Sequence, residues 1–270
     1  MAVVGVVYYT DPACPWSWAL EPAFRRLLVA LQGSLEVSYV MCGMASEFGE
    51  PATLVEESLE ASASTGMPVD PRLWFQGPPR SSFPACIAVK AAAEQGDPSS
   101  YLRRLREGLL CRRRKLDSGD ALLDEARATG GLDVERLRID LGSHAILESF
   151  GADLELGKAA ASRPGAQGGE RVPLPSLEFR SPGGDLYGVY GSASYEELRD
   201  AALAAGAEPA DGPSPTIEEA LRRFPTMASA EVASVCELPG PRAPAELWRL
   251  ASEWRVKPER LGSGELWTLA

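Results

Sequence analysis

The alternation of hydrophobic and polar positions predicts an α/β chain. Val3–Tyr9 is β-branched and aromatic, interrupted only by Gly5, and predicts a strand. Thr10-Asp11-Pro12 breaks it. Pro15–Leu31 then places Leu20, Phe24, Leu27, Leu28 and Leu31 on one side, which predicts a helix. Glu36–Met41 predicts a second strand, parallel to the first if the crossover has its usual right hand. Residues from about 52 to 160 carry a helical pattern: alanine-rich Pro84–Glu94, leucine-arginine Tyr101–Leu116, and two segments within Leu132–Glu155. Strands return at Ser176–Arg180 and Leu186–Val189, joined by the turn sequence Ser181-Pro182-Gly183-Gly184. Ser194–Ala205 predicts a closing helix, with Ser194 as N-cap and Glu197 completing a capping box.

A βαβ start and a ββα finish around a helical block is the layout of a thioredoxin fold with an all-helical insertion. The expected division is a discontinuous thioredoxin-like domain (1–50 and 165–205), the insertion (51–164), a linker (206–215) and a C-terminal unit (216–270). The linker is read from its Ala, Gly, Pro and acidic composition. In the last unit, helices are predicted at Ile217–Phe224, Ser229–Cys236 and Ala243–Trp254, with short strands at Arg255–Lys257 and Glu265–Leu269. That order is winged-helix-like.

Composition narrows the function. With 45% apolar and 24% charged residues the 270-residue chain has the balance of a soluble globular protein. A net charge of −11 argues against a polyanion binder. Residues 211–270 hold seven Lys/Arg and nine Asp/Glu, so the C-terminal unit lacks the basic face a nucleic-acid reader needs. The longest apolar runs fall far short of a membrane span, and no charged n-region precedes a long apolar stretch, so a cytoplasmic protein is expected. The five cysteines, Cys14, Cys42, Cys86, Cys111 and Cys236, form no Cys-x-x-Cys pair, against both a disulfide framework and a structural zinc site. The one histidine, His144, reads as a solvated helix residue and excludes a multi-histidine metal site.

The sharpest motif is Asp11-Pro12-Ala13-Cys14-Pro15-Trp16-Ser17-Trp18, between the first strand and the first helix. Cys14 falls at the helix N-terminus, where free N–H groups and the macrodipole favour a thiolate, and Pro15 suits the first helical position. A depressed pKa and a nucleophilic Cys14 are the expectation. Trp16 is expected exposed, as an apolar lip for substrate, and Trp18 buried. Trp74-Phe75 and Met67-Pro68 read as packing. The run Arg103, Arg104, Arg106, Arg112, Arg113, Arg114 and Lys115 reads as a solvated helix face, with a glutathione carboxylate or an acidic partner as the alternative use.

Cys14-Pro15-Trp16-Ser17 after an N-terminal strand resembles the DsbA family of the thioredoxin superfamily, in its FrnE-like and YjbH/SpxH-like branches. Ser82-Phe83-Pro84-Ala85-Cys86-Ile87-Ala88-Val89-Lys90-Ala91-Ala92 is similar to the family's stretch in the helical insertion. Leu174-Pro175-Ser176-Leu177-Glu178-Phe179 is similar to its cis-proline segment. The resemblance covers residues 1–205 and implies a bacterial redox protein in which Cys14 is nucleophile and Ser17 a hydrogen-bond donor to its thiolate. Pro175 would be the docking point for substrate backbone, with Pro15, Trp16 and Leu174 beside it, and Pro173 is the competing proline. The family's second cysteine is replaced by Ser17, so a mixed disulfide has no internal route to resolution. Cys42 and Cys86 are candidate distant resolving thiols, more plausible as core. The resemblance therefore implies a monothiol, glutathione-linked oxidoreductase, with glutathione as co-substrate and no bound cofactor. One alternative is a non-catalytic adaptor presenting a client protein for proteolysis. Another is a glutathione-dependent isomerase, although the 2-hydroxychromene-2-carboxylate isomerases carry serine where Cys14 stands.

Overall fold

The computed structural model describes residues 3–167 and 169–270. Strand β1 (Val4–Thr10) is followed by two helices, α1 (Pro15–Ala19) and α2 (Glu21–Ala30), then β2 (Leu35–Met41). The single helix expected over Pro15–Leu31 is thus broken at Leu20. Pro22 has no N–H to give to the preceding turn, so the first helix stops and Pro22 sits in the opening turn of the second.

The insertion holds α3 (Pro51–Thr65), a 3-10 turn at Pro71–Phe75, α4 (Phe83–Ala93), α5 (Ser99–Leu110), α6 (Gly119–Thr129), α7 (Val134–Asp140) and α8 (His144–Ala161). The helix expected over Tyr101–Leu116 ends at Leu110, and Arg113, at φ 52°, lies in the left-handed region beyond it. The chain returns through β3 (Ser176–Arg180), β4 (Leu186–Tyr190) and α9 (Tyr195–Ala204), whose Ser194–Glu197 capping box is formed.

The four strands order as β2-β1-β3-β4. β1 runs parallel to β2, in register from Val4 opposite Leu35 to Thr10 opposite Met41, and antiparallel to β3. One face buries Val4, Val6 and Tyr8 with Leu20, Phe24, Leu27, Leu177, Phe179 and Leu198, covered by α2 and α9. A second core joins Trp18 and Met41 to the insertion through Met67, Leu73, Val89, Leu105 and Phe150. Trp18 is the hinge between the two parts of the fold: its Nε1 donates to the Pro68 carbonyl at 2.8 Å and Arg103 stacks over its ring at 4.2 Å.

The C-terminal stretch comprises α10 (Ile217–Arg223), the two-residue strand β5 (Met227–Ala228), α11 (Ser229–Val235), α12 (Arg242–Ser252), β6 (Val256–Leu261) and β7 (Gly264–Leu269), with sheet order β5-β7-β6. β5 is too short to leave a periodic signal in the sequence. This unit has its own apolar centre, around Leu221, Val232, Leu247, Leu250 and Trp267. It is held to the rest. The stretch expected to be a linker donates Glu208 N–H to Ser34 Oγ and Ala210 N–H to the Ala30 carbonyl, both at 2.8 Å. At the tip of the β6–β7 hairpin, Ser263 N–H donates to the Val69 carbonyl at 3.1 Å while Val69 N–H donates to Ser263 Oγ at 3.0 Å.

Arg113, Arg114 and Lys115 are exposed, as a solvated face requires, but Arg103 and Arg106 correct that reading for the helical part of the run. Arg103 and Arg106 are 8% and 2% exposed. With Glu107 they lie on the side of α5 that meets α2 and α11, and each guanidinium there finds a carboxylate, which is what permits its burial. Arg103 grips Glu231 of α11 through two bonds of 2.8 and 2.9 Å, reaches Glu21 of α2 at 3.2 Å and Glu107 at 2.7 Å. Arg25 lies 3.1 Å from both Glu21 and Glu231, and Arg106 pairs with Glu21. Arg112 spans Glu107 at 2.6 Å and Glu259 of β6 at 2.7 Å. Arg104 and Arg114 share Glu125 of α6.

Two tests follow from this packing. Gly262 has φ +40°, and a methyl group there would overlap the Val69 carbonyl. Gly262→Ala should lower the urea unfolding free energy by about 1–3 kcal/mol, through backbone strain and lost hairpin docking. The second concerns acid. Burial alone would raise the Glu21 and Glu107 carboxyls, but the neighbouring arginines outweigh it and hold both below their ordinary value. A carboxyl depressed in the folded state stabilises above its unfolded pKa, and that contribution is lost as pH falls through the folded value. The thermal midpoint should therefore drop below about pH 4.3, and Glu107→Gln should flatten that acid limb.

Candidate functional site

The end of β1 delivers the motif. Asp11 is fully buried, and its side chain folds back to accept from Ala13 N–H at 2.7 Å, turning the chain into α1. Its other oxygen accepts from Met44 N–H at 2.6 Å, Ser82 Oγ at 2.7 Å and Cys86 Sγ at 3.2 Å. Four donors from the motif, the β2 end and α4 thus fix one carboxylate beneath the site.

Cys14 caps α1, with Sγ accepting from Ser17 N–H at 3.3 Å, and Pro15 occupies the first helical position. Ser17 is fully buried and its Oγ accepts from Thr10 Oγ1 at 2.9 Å. Thr10 in turn accepts from Arg106. Trp16, expected exposed, is half-buried, and Trp18 is buried as expected.

Opposite the motif the Leu174–Pro175 bond is cis, and the competing Pro173 bond is not. Pro175 is buried, whereas Leu174 is partly open. Among the described residues no hydrogen bond engages the Leu174 backbone, and Val172 N–H two residues earlier is tied to the Gly157 carbonyl at 3.0 Å. Between motif and proline lies a cavity of about 310 Å³ walled by Cys14, Pro15, Trp16, Leu174, Met44 and Cys42, with Glu57 of α3 and Arg171 as its charged groups. Arg171 is anchored by donating to the Gly43 carbonyl.

The electrostatics depart from the expected activated thiol. Cys14 is only 3% exposed. Burial pushes its thiol above the ordinary value and the Asp11 carboxylate adds to the rise, while hydrogen bonds from Ser17 pull the other way without overcoming it. A five-residue helix contributes little dipole against that desolvation. Cys42 and Cys86, the candidate distant thiols, are also buried and pushed up, again first by burial and then by Asp11. Cys42 shares the cavity with Cys14, whereas Cys86 is bonded to Asp11. His144 is exposed at the start of α8, far along the chain from the motif. Among the described residues no cluster of His, Cys, Asp and Glu suits a metal ion, and no helix is long and apolar enough to cross a membrane.

Of the residues singled out in the sequence, Cys14, Pro15, Trp16 and Leu174 line one cavity, while Ser17 and Pro175 are buried beside them in the chain. Sequence reading assigned no site role to Thr10, Asp11, Glu57 or Arg171, and placed Arg106 on a solvated face. The buried carboxylate before a Pro-x-Cys turn could have flagged Asp11. Arg106 and Arg171 come from distant segments and leave no local trace.

A sheet of this order, carrying a cysteine at its first helix and a cis-proline opposite, defines a thioredoxin-fold protein with an inserted helical domain. The chain belongs to the thioredoxin family, whose model, described as Thioredoxin, matches residues 8–161. It is 26% identical to a ClpXP adapter protein SpxH of Bacillus subtilis over 97% of this chain and 88% of that protein. It is 25% identical to a ClpXP adapter protein SpxH of Halalkalibacterium halodurans over 96% of this chain and 86% of that one. The DsbA-like, SpxH-like kinship seen in the motifs is borne out. In structure it resembles the cytosolic disulfide reductase DsbM of Pseudomonas aeruginosa, at TM-score 0.56 and 19% identity over 68% of this chain and 88% of that one. The structure of the same DsbM with GSH gives TM-score 0.52 and 20% identity over 64% of this chain and 85% of that one.

The thiol can be measured directly. Iodoacetamide labelling of Cys14, followed on its own peptide against pH with Cys14→Ala as control, should give a midpoint above the unperturbed value of about 8.5. A midpoint well below that value would restore the activated nucleophile.

Proposed function

We propose that this chain is an adaptor, which holds a client protein at the cavity beside Cys14 and presents it to a protease. The observation that carries the reading is the state of the motif. Its one thiol is buried and raised, and a fully buried serine stands where a resolving thiol would be. Thioredoxin-like chemistry needs both features reversed. What the motif retains is a recognition surface: half-buried Trp16 beside an open Leu174 backbone, able to pair with an extended segment of a client. The SpxH proteins, named as ClpXP adapters and similar over nearly the whole chain, support the same reading.

A specific observation favours one other reading. The 310 Å³ cavity opens beside Cys14 Sγ and carries Arg171 on its wall, a size and charge suited to glutathione as co-substrate of a monothiol reaction. The structure of DsbM with GSH lends that reading a parallel in the same fold.

Two experiments separate them. In an insulin-reduction assay the wild-type chain should not exceed the dithiothreitol background, and Ser17→Cys should exceed it by supplying the missing thiol. In a strain lacking the gene, some protein should gain a several-fold longer half-life, restored equally by the wild type and by Cys14→Ala. Glutathione-dependent turnover abolished by Cys14→Ala, with no half-life changed, would overturn the adaptor in favour of the monothiol enzyme.

A further inference from the structure

The buried charges and the Cys14 site form one hydrogen-bonded system, and the donors set its direction. A guanidinium only donates. Arg106 donates to Glu21 with Nη1 and to Thr10 Oγ1 with Nη2. Thr10 Oγ1 is therefore an acceptor on that side, and its single proton goes to Ser17 Oγ at 2.9 Å. Ser17 Oγ is then an acceptor towards Thr10, so its own proton must point elsewhere. Cys14 Sγ, which accepts from Ser17 N–H at 3.3 Å, is an acceptor on the same residue's side of the motif. Thr10 and Ser17 are fully buried and Arg106 is 2% exposed, so bulk water offers the chain no other direction.

We propose that Arg106 is a positioning residue for the Cys14 thiol: by fixing Thr10 as a donor to Ser17, it turns the Ser17 hydroxyl proton onto Sγ. On this proposal the sulfur receives a side-chain hydrogen bond from residue 17 in addition to the backbone one at 3.3 Å. Both pull the thiol down against its burial, in keeping with the two Ser17 contributions that lower it. Arg106 reaches the site from α5 of the insertion, without touching the cysteine cavity. The inference is independent of the adaptor reading, because the sulfur's hydrogen bonds are the same whether Cys14 reacts or only meets a client.

Other titratable and charged groups face the thiol as well. Asp11 lies in the same loop, Tyr8 on β1 and Cys42 after β2, with Glu57 and Arg171 across the cavity. All remain in place in the variants that test the relay, so a change in midpoint reports the relay alone or, for Arg106, the relay and its charge.

The experiment measures the pH midpoint of Cys14 alkylation in the full chain, with folding checked by near-ultraviolet circular dichroism. Ser17→Ala and Thr10→Val should each raise the midpoint by up to about one pH unit. Arg106→Gln should raise it further, since a buried cation near the thiol is lost as well, and Arg106→Lys should reverse part of that rise. A merely structural arginine would lower the melting temperature and leave the midpoint where it was. If Arg106→Gln does not fold, Thr10→Val decides, because it keeps the guanidinium and breaks only the relay. A Thr10→Val midpoint equal to the wild type overturns the proposal, and so does a Ser17→Ala midpoint equal to it.

Discussion

Three buried carboxylates and three buried guanidiniums, Glu21, Glu107 and Glu231 against Arg25, Arg103 and Arg106, hold this molecule in one arrangement. They come from α2, α5 and α11, so the cluster sits where the thioredoxin sheet, the helical insertion and the C-terminal unit meet. Apolar packing could hold these parts together in many orientations, since it has no direction. Forked guanidinium–carboxylate pairs do not permit that. Removing one partner from such a cluster costs about 3–5 kcal/mol, because the other charge is left buried and unpaired. The C-terminal unit is docked by Glu231 and Glu259, and its hairpin tip is bonded to Val69.

That junction also governs the site. Glu21 and Arg106 stand one step behind Thr10 and Ser17, so the Cys14 sulfur is the last member of a chain that begins at the interface with α11. The thiol is caught between opposing influences. Burial and Asp11 favour the neutral form, while Ser17 favours the thiolate. The balance falls to the neutral side. That balance is what supports the proposed adaptor over disulfide exchange.

Much of this was legible in the chain itself. The strands at 176–180 and 186–190, the capping box at Ser194–Glu197 and the βαβ opening follow local periodicity and turn chemistry, which act over a few residues. The motif around Cys14 and the proline at 175 were equally visible, because each is a short contiguous signature. Where local reading fell short, the cause was specific. Pro22 split a helix whose apolar spacing ran straight through it, and β5 was too short to show a period.

The sequence by itself determined the elements, the placing of Cys14 at a helix start and the serine that replaces a second thiol. Only the tertiary structure decided the state of that thiol and the fate of the arginines. Both depend on burial and on partners far away in the chain: Glu231 for Arg103, at a separation of 128 residues, and Arg106 for Thr10, at 96. A row of arginines on a helix reads as a wet surface until carboxylates from two other helices close over it. A cysteine at a helix N-terminus reads as activated until the surrounding core removes the water its thiolate would need.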